Sequence, residues 1–186
     1  MKKIDFVTSN KGKVWEARKL FEQVGISVIQ NDIGYPEIQS KSLKEVASFG
    51  VEYISKKFSN AFFLEDAGLF IDSLNGFPGV YSAYVFYSIG LNGILKLLEG
   101  VSSDKRSARF QSVIAYKEPG EKTQFFIGEC QGMLNDEAVG SNGFGYDPLF
   151  IPKGESKTFA QMQTEEKNRF SHRGKSLGKL KESLKK

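Results

Sequence analysis

Cys130 is the one cysteine of the chain, so no internal disulfide can form. That fits a reducing compartment. With one histidine, His172, and one cysteine, a zinc site of the usual kind is excluded. His172 could complete a Ser-His-Asp triad on paper, but the G-x-S-x-G elbow that would present the serine is missing. The Walker A pattern is missing too. No apolar run approaches the ~20 residues needed to span a bilayer. The opening MKKIDFVTSN has too short an apolar stretch for a signal peptide. There is no repeat period and no low-complexity linker. What remains is a soluble, cytoplasmic protein.

What is present suits one domain, spanning residues 1–186, with a substantial core. The chain is 40% apolar and 26% charged, with 16 Phe and 7 Tyr. Its net charge is +4, and the excess is uneven: residues 167–186 hold eight Lys or Arg against one acid, Glu182. Such a run is either a solvated helix face or an anion-binding edge.

Periodicity predicts a strand over 4–9, a helix over 10–25 and a strand over 26–32, a crossover unit. A second helix is expected over 42–58, with Ser42 and Glu45 at capping-box spacing and Gly50 inside it at a cost of about 1 kcal/mol relative to Ala. Residues 61–66 and 69–74 read as two strands, and NGFPG as a turn. A short helix is expected over 92–100 with Asn92 as its cap. Residues 108–117 and 123–134 read as paired antiparallel strands. A glycine-rich loop over 140–152 runs into a strand, and TEEKNRF opens a last helix that bends near Gly174. The fold class is therefore mixed α/β.

Four stretches carry chemistry. TSNKGK (Thr8, Ser9, Asn10, Lys11, Gly12, Lys13) lies at a strand-to-helix junction, where backbone N–H groups and the helix dipole favour an anion; it also reads as an ordinary capped helix. Glu37, Glu65 and Asp66 are oxygen donors of the kind a hard cation takes with substrate phosphates; each also reads as a strand-end charge. In NGFGYDPLF, glycines flank Phe144, and Gly145, Tyr146 and Asp147 follow; backbone that a ligand can approach beside a ring suits base stacking, as does a tight loop with core aromatics. Lys167 and Ser171, four apart, would share a helix face, with His172 and Arg173 next to them. Taken together, the four fit a metal-bound nucleoside polyphosphate.

TSNKGK, YPEIQ, LEDAGL, GFPGVYSAY, NGFGYDPLF and TFAQMQTEEKNRFSHRGKSL, in this order over residues 6–180, resemble the inosine triphosphate pyrophosphatase family, in its archaeal type. The resemblance implies an elongated α/β fold with a long, mixed, twisted sheet flanked by helices, a cleft between two lobes, and a homodimer. It implies Mg2+-dependent hydrolysis of ITP, dITP or XTP to monophosphate and pyrophosphate. Asp66 would activate water, and Glu37 and Asp66 would hold the metal, with Glu65 close by. Thr8 to Lys13 would take the phosphates, Ala67 would contact substrate through its backbone, and Phe144, Gly145, Tyr146, Asp147, Lys167, His172 and Arg173 would take the base and the rest of the nucleotide. Two departures stand out: Ala67 replaces a common serine, and Gly50 stands where many bacterial members carry lysine. Hypoxanthine and xanthine present a 6-oxo acceptor where adenine has an amino donor, so donors from Arg173, His172 or backbone would select them. On this reading Arg173→Ala weakens selection more than stability. The competing readings are a pyrophosphatase for modified pyrimidine or methylated nucleotides, a nucleotide-binding regulator without catalysis, and a basic nucleic-acid-binding module; the last leaves the acids unexplained.

Overall fold

The computed structural model describes residues 2–36 and 38–185, and it opens in the expected order: β1 (Lys2–Val7), α1 (Lys11–Phe21), β2 (Ile26–Asn31). Asn10 starts α1 as the junction predicts, its side-chain oxygen accepting from Lys13 N at 3.0 Å. The apolar stripe of α1, Val14, Ala17, Leu20 and Phe21, is buried, and so is Glu16.

After α2 (Leu43–Ser55) comes β3 (Phe62–Ile71), a single strand where sequence suggests two. Ten consecutive residue pairs with β5 (Ser107–Lys117) hold it straight through the middle. Gly68 permits this, because a Cβ there would strike the carbonyl of Gly79 in β4 (Pro78–Gly79). Residues Asp72–Leu74 turn into a 3-10 helix instead of continuing the strand. The helix expected over 92–100 is the second half of α3 (Ser82–Leu97), broken at Gly90 (φ 62, ψ −166). Asn92 is therefore inside the helix and caps nothing. Residues 82–89 hide their helical nature by exposing rings that periodicity expects inside: Tyr84 and Tyr87 face solvent.

β5, β6 (Gln124–Leu134) and β7 (Phe150–Pro152) complete one open seven-stranded mixed sheet in the order β2-β1-β3-β5-β6-β7, with β4 beside β3. β1 runs parallel to β2 and β3; the other pairs are antiparallel. The last helical region is two helices, α4 (Thr164–Asn168) and α5 (His172–Ser183), with Ser171 capping α5 through Gly174 N. The break thus falls before Gly174, and Lys167 and Ser171 share no helix face. Gly174 is there because a Cβ would collide with the Asn168 carbonyl that ends α4.

The sheet separates two cores by strand parity. Phe63 of β3 packs with α1 and α5 residues Phe21 and Leu177, whereas Phe62 and Leu64 pack against α2 at Ala47 and Ile54. A third core joins Leu69 and Ile71 to Ile94 and Phe150. Gly50 of α2 is explained by packing: a Cβ there would lie 2.7 Å from the Tyr35 ring and 3.0 Å from Leu64. The expected capping box is half made. Ser42 accepts from Glu45 N at 3.4 Å, but the Glu45 carboxylate takes Ser40 Oγ at 2.6 Å. Among the described residues no helix is long and apolar enough to cross a membrane.

Candidate active site

The end of β1, the start of α1 and the middle of β3 meet at a cleft of ≈ 670 Å³. Thr8, Ser9, Asn10, Lys11 and Lys13 line it from the first junction, and Glu65, Asp66 and Ala67 from β3. Phe144, Gly145, Tyr146 and Asp147 line it from the loop before β7, and His172 and Arg173 from α5. Gly12 and Lys167 are not on its wall. Glu37 lies outside the described residues. Asp32, Tyr35, Tyr81, Tyr84 and Tyr87 also border the cleft, although none is assigned to the site from sequence.

The junction residues serve their own backbone first. Thr8 Oγ1 accepts from Asn10 N at 3.1 Å, and Asn10 caps α1. Gly12 acts by what it lacks: a Cβ would lie 2.5 Å from the Phe144 ring, so glycine lets the Phe144 loop rest on the helix start.

Neighbouring acids Glu65 and Asp66 face opposite sides of β3. Glu65 points toward α1 and α5, where Arg173 Nε donates to both its oxygens at 3.0 Å. Lys13 Nζ stands 3.1 Å from its Oε2, and Ser112 Oγ donates to its Oε1 at 2.7 Å. Burial works to raise this carboxyl, but Arg173, Lys13 and the hydrogen bonds hold it well below the usual carboxylate range. Both oxygens are thus engaged by protein cations, which departs from the expectation of a metal ligand. Asp66 is half-buried on the cleft, with Oδ1 accepting from Ala67 N at 3.0 Å.

Behind the wall lies a buried ion cluster in which Glu16 is the member that no motif announces. Glu16 takes Lys167 Nζ at 2.7 Å on one oxygen and Arg173 Nη1 at 2.6 Å on the other. Lys167 Nζ also donates to Asp147 Oδ2 at 2.6 Å, and that oxygen accepts the Phe144 amide at 2.8 Å. Burial opposes the Lys167 charge, but Asp147 and Glu16 outweigh it and keep the ammonium protonated. Lys167 is therefore a support for the loop rather than a wall residue. Its Nζ and the Arg173 guanidinium lie 5.3 and 5.2 Å from the Phe144 ring centre.

His172 stacks on Phe110, centroids 4.5 Å apart at 11°. Burial, with Arg173 adjacent, pushes its pKa well down, so the imidazole is neutral. Its Nδ1 has no hydrogen-bond partner among the described residues. Tyr146 is a core residue: its hydroxyl donates to the Ser82 carbonyl at 2.8 Å and its ring meets Phe86 edge-on at 5.3 Å. Of the two rings in this loop, Phe144 is the one left to face a ligand. Among the described residues no three His, Cys, Asp or Glu side chains stand close enough together to hold a metal alone. A cation that draws its remaining oxygens from phosphates and water needs fewer, and Asp66 suits it.

The Ham1 family model matches residues 4–183. The chain is 53% identical over 187 residues to the dITP/XTP pyrophosphatase of Thermococcus kodakarensis, covering 98% of this chain and 100% of that one. It is 49% identical over 180 residues to the dITP/XTP pyrophosphatase of Methanopyrus kandleri, covering 97% and 95%. The structure is similar to the Ham1 protein of Staphylococcus aureus, with a TM-score of 0.80 at 33% identity and coverage of 99% and 98%. It is likewise similar to a HAM1 protein from Coxiella burnetii, with a TM-score of 0.82 at 30% identity and coverage of 100% and 99%.

Proposed function

The chain belongs to the Ham1 family, and from that premise we propose that it hydrolyses dITP, ITP and XTP to the nucleoside monophosphate and pyrophosphate. The observation that carries the reading is the meeting, in one cleft, of the half-buried Asp66, the start of α1 with Lys13, and the Phe144 ring beside Arg173. Relatives with this name cover nearly the whole chain.

The triphosphate lies with its phosphates at the α1 start, where free N–H groups, Lys11 and Lys13 offset charge. Asp66 accepts the proton of the attacking water as the new P–O bond forms, and the α–β anhydride oxygen leaves with pyrophosphate. Asp66 and Glu37 would hold Mg2+, which would supply charge neutralisation on the phosphates. The purine stacks on Phe144. Nδ1 of neutral His172 and the Arg173 guanidinium face the 6-oxo edge, and the buried acids Glu16 and Glu65 fix the guanidinium plane.

The enzyme works as a cytoplasmic homodimer without stable nucleic-acid binding. Exposed Tyr84 and Tyr87 on α3 favour self-association. The basic C-terminal run is not an open stripe: Arg173 is buried, while Lys175 and Lys179 each donate to β6 carbonyls at 2.7 Å.

The test is a panel of ITP, dITP, XTP, GTP and ATP with the purified chain, products separated by ion-exchange chromatography. Pyrophosphate and monophosphate should form from the deaminated nucleotides, stop with a chelator and return with Mg2+. Release of orthophosphate alone, or equal turnover of ATP, overturns the reading.

A further inference from the structure

The buried ion pairs form one unbroken line. It runs from Lys13 through Glu65, Arg173, Glu16 and Lys167 to Asp147, which holds the amide of Phe144. Both of its ends line the cleft, Lys13 at the α1 start and Phe144 on the loop that rests against that start at Gly12. The six side chains differ in one respect. Lys13 is 16% exposed, while the other five range from 1% to 5%. Lys13 is therefore the member of the line that an anion entering at the α1 start meets first.

Lys13 Nζ donates to the Glu65 main-chain carbonyl at 2.9 Å and stands 3.1 Å from its carboxylate, and a phosphate would compete with the carboxylate for the ammonium. On Glu65, it shares that carboxylate with Arg173. Drawn onto a phosphate, it leaves the whole Glu65 charge to Arg173. Water is excluded around these groups, so the redistribution is weakly screened and passes along the line. Arg173 is where it matters. Its Nε and Nη1 are spent on Glu65 and Glu16, but its Nη2 donates to none of the described residues, and the residue lines the cleft. A guanidinium drawn toward Glu65 re-aims that free donor.

Resting on the base-reading role assigned above, we propose that Glu65 is a positioning residue that couples phosphate binding to base selection: Arg173 takes its discriminating pose for a 6-oxo purine when a phosphate chain has removed Lys13 from Glu65. The coupling is reciprocal, so the correct base also eases the transfer of Lys13 to the phosphates.

The experiment measures affinities of inosine and adenosine mono-, di- and non-hydrolysable triphosphates by calorimetry with Mg2+ present. Direct effects of the added phosphates are common to both bases and cancel in the inosine/adenosine ratio. In the parent chain that ratio should rise at least about fivefold from mono- to triphosphate, the lower end of usual coupling between sites. In Glu65→Gln it should be flat. Lys13→Met, at the partly exposed end where no buried charge is stranded, should also be flat and serves if Glu65→Gln does not fold. A parent ratio well above one that does not change with chain length overturns the coupling and leaves the proposed function standing. A ratio near one at every length overturns both. A rise that survives Glu65→Gln or Lys13→Met overturns the role of Glu65. Loss of packing alone would not produce a base ratio that stops depending on phosphate number.

Discussion

Arg173 Nη1 lies 2.6 Å from Glu16 Oε2, although 157 positions separate the two residues. Both are buried, and the pair ties α1 to α5 behind the cleft. This corrects the expectation that Arg173→Ala alters selection more than stability. Removing the guanidinium leaves buried Glu16 with Lys167 as its one cation and buried Glu65 with Lys13, and breaking a buried pair by deleting one partner costs about 3–5 kcal/mol. Arg173→Ala should lower the urea midpoint sharply with the slope unchanged. Arg173→Lys, which keeps the charge but loses the fork, should fall between it and the parent.

Asp66 faces the other side of β3 from Glu65. Asp66→Asn should leave the melting transition near that of the parent and lower kcat by about 10²–10⁴, the usual contribution of a positioned general base. Steady-state release of pyrophosphate from ITP checks it. Parent-like turnover would remove the base role from Asp66.

Glu65 makes stability depend on pH. Its folded carboxyl is held below the ordinary value of 4.5 by Arg173 and Lys13 against the opposing effect of burial. A group lowered on folding contributes fully above its unfolded pKa and loses that contribution as pH falls toward its folded pKa. Stability should therefore decline steadily as pH drops below about 4.5. Glu65→Gln, less stable at neutral pH, should show a shallower decline. Denaturant melts at pH 7, 5, 4 and 3 separate the two slopes.

Gly128 of β6 should tolerate no side chain. A Cβ there would strike the His172 carbonyl and lie 2.7 Å from Ser176 N, both backbone atoms of α5. Gly128→Ala should cost about 1–3 kcal/mol, as overpacking of a tight contact does. It should also raise KM for ITP by displacing His172 and Arg173. Thermal melts and ITP kinetics measure the two effects.

Local signals made the scaffold readable, and distant ones hid the site's supports. The start of α1 is announced by Asn10 and the apolar spacing that follows, all within a dozen residues. Glu16 has the same helix around it and looks like a solvent-facing charge; only Lys167 and Arg173, brought from the far end of the chain, make its burial tolerable. Lys167 reads as a ligand donor for the converse reason, since its two acids come from α1 and from the loop before β7. α3 was obscured by exposed tyrosines that blur the helical period, and the length of β3 by Gly68, which sequence reads as a break and the structure uses for a close approach. No spacing rule reports a carbonyl that will arrive from another strand.

The alternation along β3 has a consequence for how such a chain can change over evolutionary time. Positions 65 and 66 do unlike work because they look out from opposite sides of one backbone, and ten paired residues on β5 pin that assignment. Adding or deleting a single residue between 62 and 65 would swap the two carboxylates between layers, setting Asp66 among the ion pairs and Glu65 on the opposite face. Length variation in this strand is thus confined to its ends or to steps of two, while the loops beyond it are free to drift.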